Sequence, residues 1–187
     1  MLKSILFGLG MFFLLAYPTY LIYEQENILA SGTLYKFPLA PVDPYDAFRG
    51  KYLALSYHFS DINTTENFKE GDQAFAKVAI DSAGYAYLFD VSHKRPLSPY
   101  LSVIADYQHT KGLITLRVPK SIKRYYLNEN LASKAELEVQ RLRSNREEDE
   151  EVNAYASIKI HKGHTSLVEL FLDGKPILDY LAAKPKE

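Results

Sequence analysis

The feature that most constrains this chain is an uncharged, mostly apolar stretch of eighteen residues near its N-terminus, Ile5 to Ile22. An α-helix needs about 20 predominantly apolar residues to cross the hydrocarbon core of a bilayer, so the stretch is long enough to span. Lys3 precedes it and Glu24 follows it, and positively charged flanks normally stay in the cytoplasm. The sequence therefore predicts a transmembrane anchor over residues 1–24, with the N-terminus inside and the rest of the chain outside.

Two other interpretations of this stretch stay open. A cleaved signal peptide needs small residues soon after its apolar run, whereas the best such site, Ala30-Ser31-Gly32, lies about ten residues beyond it. A buried helix of a soluble protein, built around Met11 to Phe13, leaves the one-sided charges unexplained. Tyr17, Tyr20 and Tyr23 gather at the far end, where amphipathic rings prefer the headgroup level. We therefore favour a retained anchor in the cytoplasmic membrane, which makes the following domain periplasmic.

Beyond Gln25 the sequence changes to a two-residue alternation of apolar and polar residues, interrupted by turn residues. This pattern is typical of short strands with one buried face. The 15 Tyr and 10 Phe strengthen it, because aromatic side chains fit a half-buried pleated surface. We expect a mainly β (α+β) outer domain over residues 25–187. The predicted strands are 33–39, 51–59, 74–80, 85–91, 100–107, 113–118, 154–160 and 165–172, with one amphipathic helix over 131–150. In the predicted strand 51–59, Leu53, Leu55, Tyr57 and Phe59 share the face that we expect in the core.

A repeated sequence pattern suggests that the outer domain has two halves. The pattern of Ala74–Ile80 recurs in Ala154–Ile160, eighty positions later, and each copy turns at a glycine, Gly84 or Gly163. Each copy is typical of a β-hairpin. We expect two hairpin-containing halves, related either by duplication or by chance similarity between amphipathic hairpins. The predicted halves are about 33–97 and 98–180.

The composition excludes several functional classes. Lys and Arg total 22 against 23 Asp and Glu, so no field of one sign draws the protein to nucleic acid. The absence of cysteine excludes disulfides, thiolate catalysis and cysteine-based zinc sites. His161 and His164 could ligate a metal, but no acidic or histidine partner lies near them in sequence, which favours a solvated turn. The sequence indicates no cofactor, no metal and no assembled catalytic set.

One part of the outer domain carries a family motif. Pro41-Val42-Asp43-Pro44, followed by Arg49-Gly50-Lys51-Tyr52-Leu53-Ala54-Leu55-Ser56-Tyr57, resembles the bacterial GDYXXLXY family, which is named for the second stretch. Where the family motif has an acidic residue, this chain has Lys51, which reverses the charge at that position. The resemblance implies a bacterial membrane-anchored protein of uncharacterised function, often encoded beside multi-pass membrane proteins, and it supplies no catalytic residue. Three further stretches resemble family landmarks in the same order: Tyr23–Gly32 as the linker after the anchor, Arg124–Glu129, and Leu172–Pro176.

The motif region is the candidate functional surface. Its residues are Asp43, Asp46, Arg49, Gly50, Tyr52, Leu55 and Tyr57. The sequence favours a non-catalytic docking or accessory subunit for a membrane or envelope partner, with a multi-pass membrane protein as the expected partner.

Two alternative functions stay open. An envelope hydrolase or peptidase would use Asp43, Asp46 and His58, because paired carboxylates at close range split their pKa values. Capping of a helical turn by Asp43 explains the same residues without catalysis. A small-ligand binder would line a cavity between the two halves with Tyr52 and Tyr57.

Overall fold

The computed structural model of the chain describes residues 2–40, 52–57, 59, 61–109, 112–127, 131, 134 and 154–182. The predicted helical turn at 43–50 lies outside these residues. So does most of the predicted helix over 131–150, although Leu131 and Lys134 are both helical. Strands are the predominant regular structure of the described residues, which confirms the mainly β prediction.

Besides the helical residues Leu131 and Lys134, the described part of the chain contains two helices, eleven strands and a short 3-10 turn, Lys120–Ile122. The helices are α1 (Leu2–Ser31) and α2 (Ile177–Ala182). The strands are β1 (Thr33–Pro38), β2 (Tyr52–Ala54), β3 (Ile62–Asn63), β4 (Gln73–Ile80), β5 (Ala86–Ser92), β6 (Tyr100–Gln108), β7 (Leu113–Arg117), β8 (Arg124–Tyr126), β9 (Ala154–His161), β10 (His164–Leu172) and β11 (Lys175–Pro176).

The strands assemble into two antiparallel sheets and a two-stranded ribbon. The five-stranded sheet has the order β3-β7-β6-β4-β5, the four-stranded sheet has the order β1-β9-β10-β11, and β2 pairs with β8. Both predicted hairpins are confirmed, as β4–β5 and β9–β10. The sheets do not follow the predicted halves, because β1 pairs with β9 and β6 pairs with β4. A duplication relating the two hairpins stays a prediction.

One continuous cluster of buried side chains joins the two sheets. Leu53, Leu55 and Phe59 are buried in it as the alternation predicted, although β2 itself ends at Ala54. Each such side chain contributes about 1.5–3 kcal/mol when fully buried, so the shared core holds the sheets together as one unit. The hairpin strands supply Ala74, Ala76 and Val78 from β4, and Ala156, Ile158 and Ile160 from β9.

Helix α1 runs without interruption past the predicted anchor boundary, and the stretch that resembled a linker is helical. Residues 24–31 contain neither glycine nor proline, so nothing in them stops a helix. The helix ends at Gly32, whose N–H donates to the Ile28 carbonyl at 2.9 Å. A Cβ on Gly32 would lie 2.4 Å from that oxygen. Among the residues that the structure describes, no helix is both long enough and apolar enough to cross a membrane.

The turn between β9 and β10 is locked against β6. The Ser102 N–H donates to the Gly163 carbonyl at 3.0 Å, and the Tyr100 hydroxyl donates to the Lys162 carbonyl at 3.0 Å. Gly163 has a φ of +82°, and a Cβ there would lie 2.4 Å from both Ser102 Oγ and Tyr100 Cε2. This close approach ties the four-stranded sheet to the five-stranded one.

We expect Gly163→Ala to lower the free energy of unfolding by about 2–5 kcal/mol. The left-handed backbone accounts for about 1–2 kcal/mol of this loss, and the crowded methyl for about 1–3 kcal/mol. The measurement is chemical denaturation of the full chain in detergent, followed by circular dichroism. Gly84→Ala is the matched control, because its φ is +87° and nothing lies within 4 Å of its Cβ. Equal losses in the two variants would contradict the packing of this turn on β6.

Candidate functional site

The structure describes three of the residues predicted for the functional surface, Tyr52, Leu55 and Tyr57. The hydrolase hypothesis stays untested, because its residues are not among those described. The predicted residues outside the described part of the chain are Asp43, Asp46, Arg49, Gly50 and His58.

Tyr57 has a structural role, because it contacts both the 3-10 turn and two core aromatic rings. Its hydroxyl donates to the Ile122 carbonyl at 2.7 Å. Its ring stacks on Phe59, with centroids 5.3 Å apart, and meets Phe37 edge-on at 6.4 Å. Burial raises the pKa of the Tyr57 phenol above its ordinary value. Tyr57 therefore fixes the 3-10 turn before β8 to the aromatic cluster under β1.

The inner face of the β2–β8 ribbon is attached to the body by side chains and backbone. Leu55 lies in the core, and its N–H donates to the Lys123 carbonyl at 2.9 Å. The Tyr125 hydroxyl donates to Glu169 Oε1 at 2.7 Å, and the same oxygen accepts the Leu170 N–H at 3.1 Å. Burial, and then the hydrogen bond and charge of Glu169, raise the pKa of Tyr125. The ribbon is thereby tied to β10.

The outer face of the ribbon carries Tyr52, Arg124 and Tyr126, which we call the ribbon surface. Tyr52 pairs with Tyr126 in register, and their ring centroids lie 5.8 Å apart. The Arg124 guanidinium lies 4.6 Å from the centroid of the Tyr52 ring. Tyr126 is 67% exposed. Tyrosine and arginine are enriched in the energetic centres of protein interfaces, so this surface suits a protein partner.

Sequence reasoning placed Arg124 and Tyr126 only among the family landmarks. The alternation of residues 124–127 was the available signal for a short strand. It could not show that this strand pairs with a strand about seventy positions earlier in the chain. The pairing of Tyr52 with Tyr126 and of Ala54 with Arg124 became visible only through the register of β2 against β8.

A groove of about 300 Å³, the junction groove, lies where α1 meets the body. Helix α1 supplies Leu21, Glu24, Gln25 and Ile28, and the body supplies Ser102, Pro119, Ser121, Gly163, His164 and Thr165. A second groove of about 240 Å³ has the other end of the β9–β10 turn in its wall, including His161. Neither of these two grooves includes Tyr52 or Tyr57, the lining predicted for a ligand cavity.

Polar contacts fasten α1 to the hairpin beside the junction groove. Gln25 Nε2 donates to Ser166 Oγ at 2.6 Å, and the Lys159 ammonium donates to the Leu29 carbonyl. His164 Nδ1 lies 3.4 Å from a carboxylate oxygen of Glu24. The two predicted histidines thus lie in different grooves. Among the described residues, no three His, Cys, Asp or Glu side chains come together as a metal site.

These features define an α+β protein in which a long N-terminal helix packs by its last turns on a strand-rich body. A family model described as GDYXXLXY protein matches residues 14–170. The chain therefore belongs to the GDYXXLXY family, which confirms the resemblance found in the motif. No curated protein and no solved structure matches the chain. The matched range begins inside α1, before Leu21, and ends after Thr165. It therefore contains every residue of the junction groove and of the ribbon surface.

We expect the stability cost of Tyr57→Phe to depend on pH. Near pH 8 the variant loses about 1 kcal/mol, because the Ile122 carbonyl loses its donor. Above pH 10 the wild type loses stability, because the unfolded phenol ionises at its ordinary pKa while the folded phenol, whose pKa is raised, stays protonated. This loss reaches about 1.4 kcal/mol at pH 11, so the variant should then match or exceed the wild type.

The measurement is the denaturant midpoint of the full chain at pH 8 and pH 11. Phe37→Leu is the control, because it disturbs the same aromatic cluster without removing a titratable group. Its cost should be the same at both pH values. A constant difference between wild type and Tyr57→Phe would contradict the effect of burial on this phenol.

Proposed function

We propose that the chain is a membrane-anchored accessory protein. In this proposal the N-terminal half of α1 lies in the cytoplasmic membrane with its N-terminus inside, and the body docks onto an integral membrane partner on the periplasmic side. The observation that carries the proposal is the exposure of the large apolar side chains along α1. Phe7, Phe12, Phe13 and Leu14 are between 66% and 74% exposed.

The apolar surface of α1 surrounds the helix rather than forming a stripe. Successive residues project about 100° apart, so the consecutive exposed residues Phe12, Phe13, Leu14 and Leu15 cover the whole circumference. A surface helix of a soluble body carries an apolar stripe on one side, whereas a helix that is apolar all round needs an apolar surrounding. Lipid supplies that surrounding on every side at once.

The length of the apolar stretch supports its crossing the hydrocarbon core, and its flanking residues support an N-terminus on the inner side. At about 1.5 Å per residue, Ile5 to Ile22 extends about 27 Å, close to the thickness of about 30 Å of a hydrocarbon core. Tyr17, Tyr20 and Tyr23 are 60–69% exposed at the end nearer the body, as expected for rings at the headgroup level. Lys3 at the opposite end favours the inside for the N-terminus.

We expect the full chain to stay with the membrane pellet after an alkaline carbonate wash and to be released by detergent. Phe13→Lys together with Leu15→Lys should move it to the supernatant, because two charges within the hydrocarbon cost several kcal/mol. Tyr87→Lys with Phe89→Lys is the matched control, since it places the same charges on exposed residues of β5. Release of the wild type by carbonate would contradict the proposal.

The orientation of the chain can be measured in the same membranes by labelling single introduced cysteines. The chain has no cysteine of its own, so only the introduced thiol reacts. Ser82→Cys, in the turn after β4, should react with a membrane-impermeant maleimide in intact spheroplasts. Ser4→Cys should react only after permeabilisation. The opposite pattern would contradict a periplasmic body.

The ribbon surface supports docking near the membrane. Ser121 lines the junction groove, and Arg124 begins β8 three residues later, which limits their separation to about 11 Å of chain. An integral partner therefore needs no long periplasmic domain to reach Tyr126. The guanidinium of Arg124, which lies over the Tyr52 ring, favours a partner surface with carboxylate or carbonyl groups.

We expect a photoreactive residue at Tyr126, in native membranes, to form one discrete adduct with a protein that resists carbonate extraction. Arg124→Ala should reduce this adduct about tenfold, because removal of a central interface arginine costs more than about 1 kcal/mol. The same probe at Tyr107, which is 62% exposed on β6, is the positional control. An identical adduct from Tyr107, or one unaffected by Arg124→Ala, would contradict docking through the ribbon surface.

A further inference from the structure

The junction groove lies at a definite height on α1, and the inference drawn from it rests on the membrane attachment proposed above. Glu24 and Ile28 follow Ile22 by about 3 Å and 9 Å along the helix axis. The headgroup layer adds about 5–8 Å to each side of the hydrocarbon core. With Ile22 at the edge of the hydrocarbon, the groove opens into the headgroup layer.

The groove brings an acidic group and several hydrogen-bond donors together. The Glu24 side chain is 32% exposed, and His164 lies beside its carboxylate. Ser121 Oγ and Thr165 Oγ1 are 2.9 Å apart and share a hydrogen bond. That bond uses one of their two hydroxyl hydrogens, so the pair keeps the other for a ligand.

The side chains around this polar centre are suited to a small amphiphile. Leu21, Ile28 and Pro119 form apolar parts of the wall, and Ser102 adds a further hydroxyl. Ile28 is itself buried, which makes that part of the wall a fixed surface. The groove therefore offers a site for a cation, a site for an anion and an apolar edge within about 300 Å³.

We propose that the junction groove binds the headgroup of a phospholipid that carries a primary amine, of the phosphoethanolamine type. Its ammonium donates hydrogen bonds to the Glu24 carboxylate. Its phosphate accepts them from the Ser121–Thr165 hydroxyl pair and, when the imidazole presents an N–H, from His164. A choline headgroup has no N–H to donate, so Glu24 discriminates against it. A headgroup with a net negative charge is disfavoured by the same carboxylate.

A lipid held in this groove would contact both α1 and the body. Glu24 and Leu21 come from the helix, whereas Ser121 comes from the 3-10 turn and Thr165 from β10. The bound headgroup would thus add to the direct contact of Gln25 with Ser166 and hold the body at one angle to the bilayer.

The test is lipid retention by the full chain in nanodiscs that contain equal amounts of phosphatidylethanolamine, phosphatidylcholine and phosphatidylglycerol. The lipids that remain bound after gentle detergent exchange are counted by native mass spectrometry. We expect the wild type to retain phosphatidylethanolamine, and Glu24→Gln to reduce this retention about fivefold, since the lost charge-assisted hydrogen bond is partly exposed to water.

Glu26→Gln is the matched control, because it makes the same charge change about 200° around the helix and outside the groove. Its retention should equal that of the wild type. Ser121→Ala provides a second variant, which removes a phosphate donor without changing the charge on α1, and should reduce retention about threefold.

Equal retention in Glu24→Gln and Glu26→Gln, with the protein inserted and folded, would overturn the headgroup proposal alone. Preferential retention of phosphatidylglycerol would overturn it as well, because the occupant would then be anionic. Failure of the wild-type chain to insert into nanodiscs would overturn both this proposal and the membrane attachment.

Discussion

The rest of the structure depends on the contact of the β9–β10 hairpin with two neighbours outside its own sheet, β6 on one side and the last turns of α1 on the other. The first contact requires Gly163, which has no side chain to collide with Ser102 and Tyr100. The second contact includes the hydrogen bond from Gln25 to Ser166. It lies just before Gly32, where the helix ends. Because one hairpin makes both contacts, the sheets and the helix hold a single arrangement.

This arrangement gives the family motif two different roles. Leu55 and Tyr57 face inward, where one is buried in the core and the other bonds the carbonyl of Ile122. Tyr52 faces outward and supports Tyr126 and Arg124 on the ribbon surface. Residues 52–57 therefore stabilise the body with one set of alternate side chains and place another, Tyr52, on the proposed docking surface, as the two-residue period of an extended chain permits.

The strands and hairpins were predictable because their signals are local. Alternation identified the buried face of Leu53, Leu55 and Phe59, and glycines marked the turns of both hairpins. The β2–β8 ribbon and the junction groove were not predictable, because each joins segments far apart in the chain. The continuation of α1 to Ser31 was also missed, since the charges after Ile22 suggested an end that the backbone does not require.

The sequence by itself determined the apolar N-terminal stretch, the strand-rich body and the family, because composition, periodicity and motif order are properties of neighbouring residues. Only the tertiary structure decided which strands share a sheet, which tyrosine pairs with Tyr52, and how Glu24 comes to lie beside His164. These depend on the shared core and on the close approach of backbones at Gly32 and Gly163, where contacts between distant segments set the geometry.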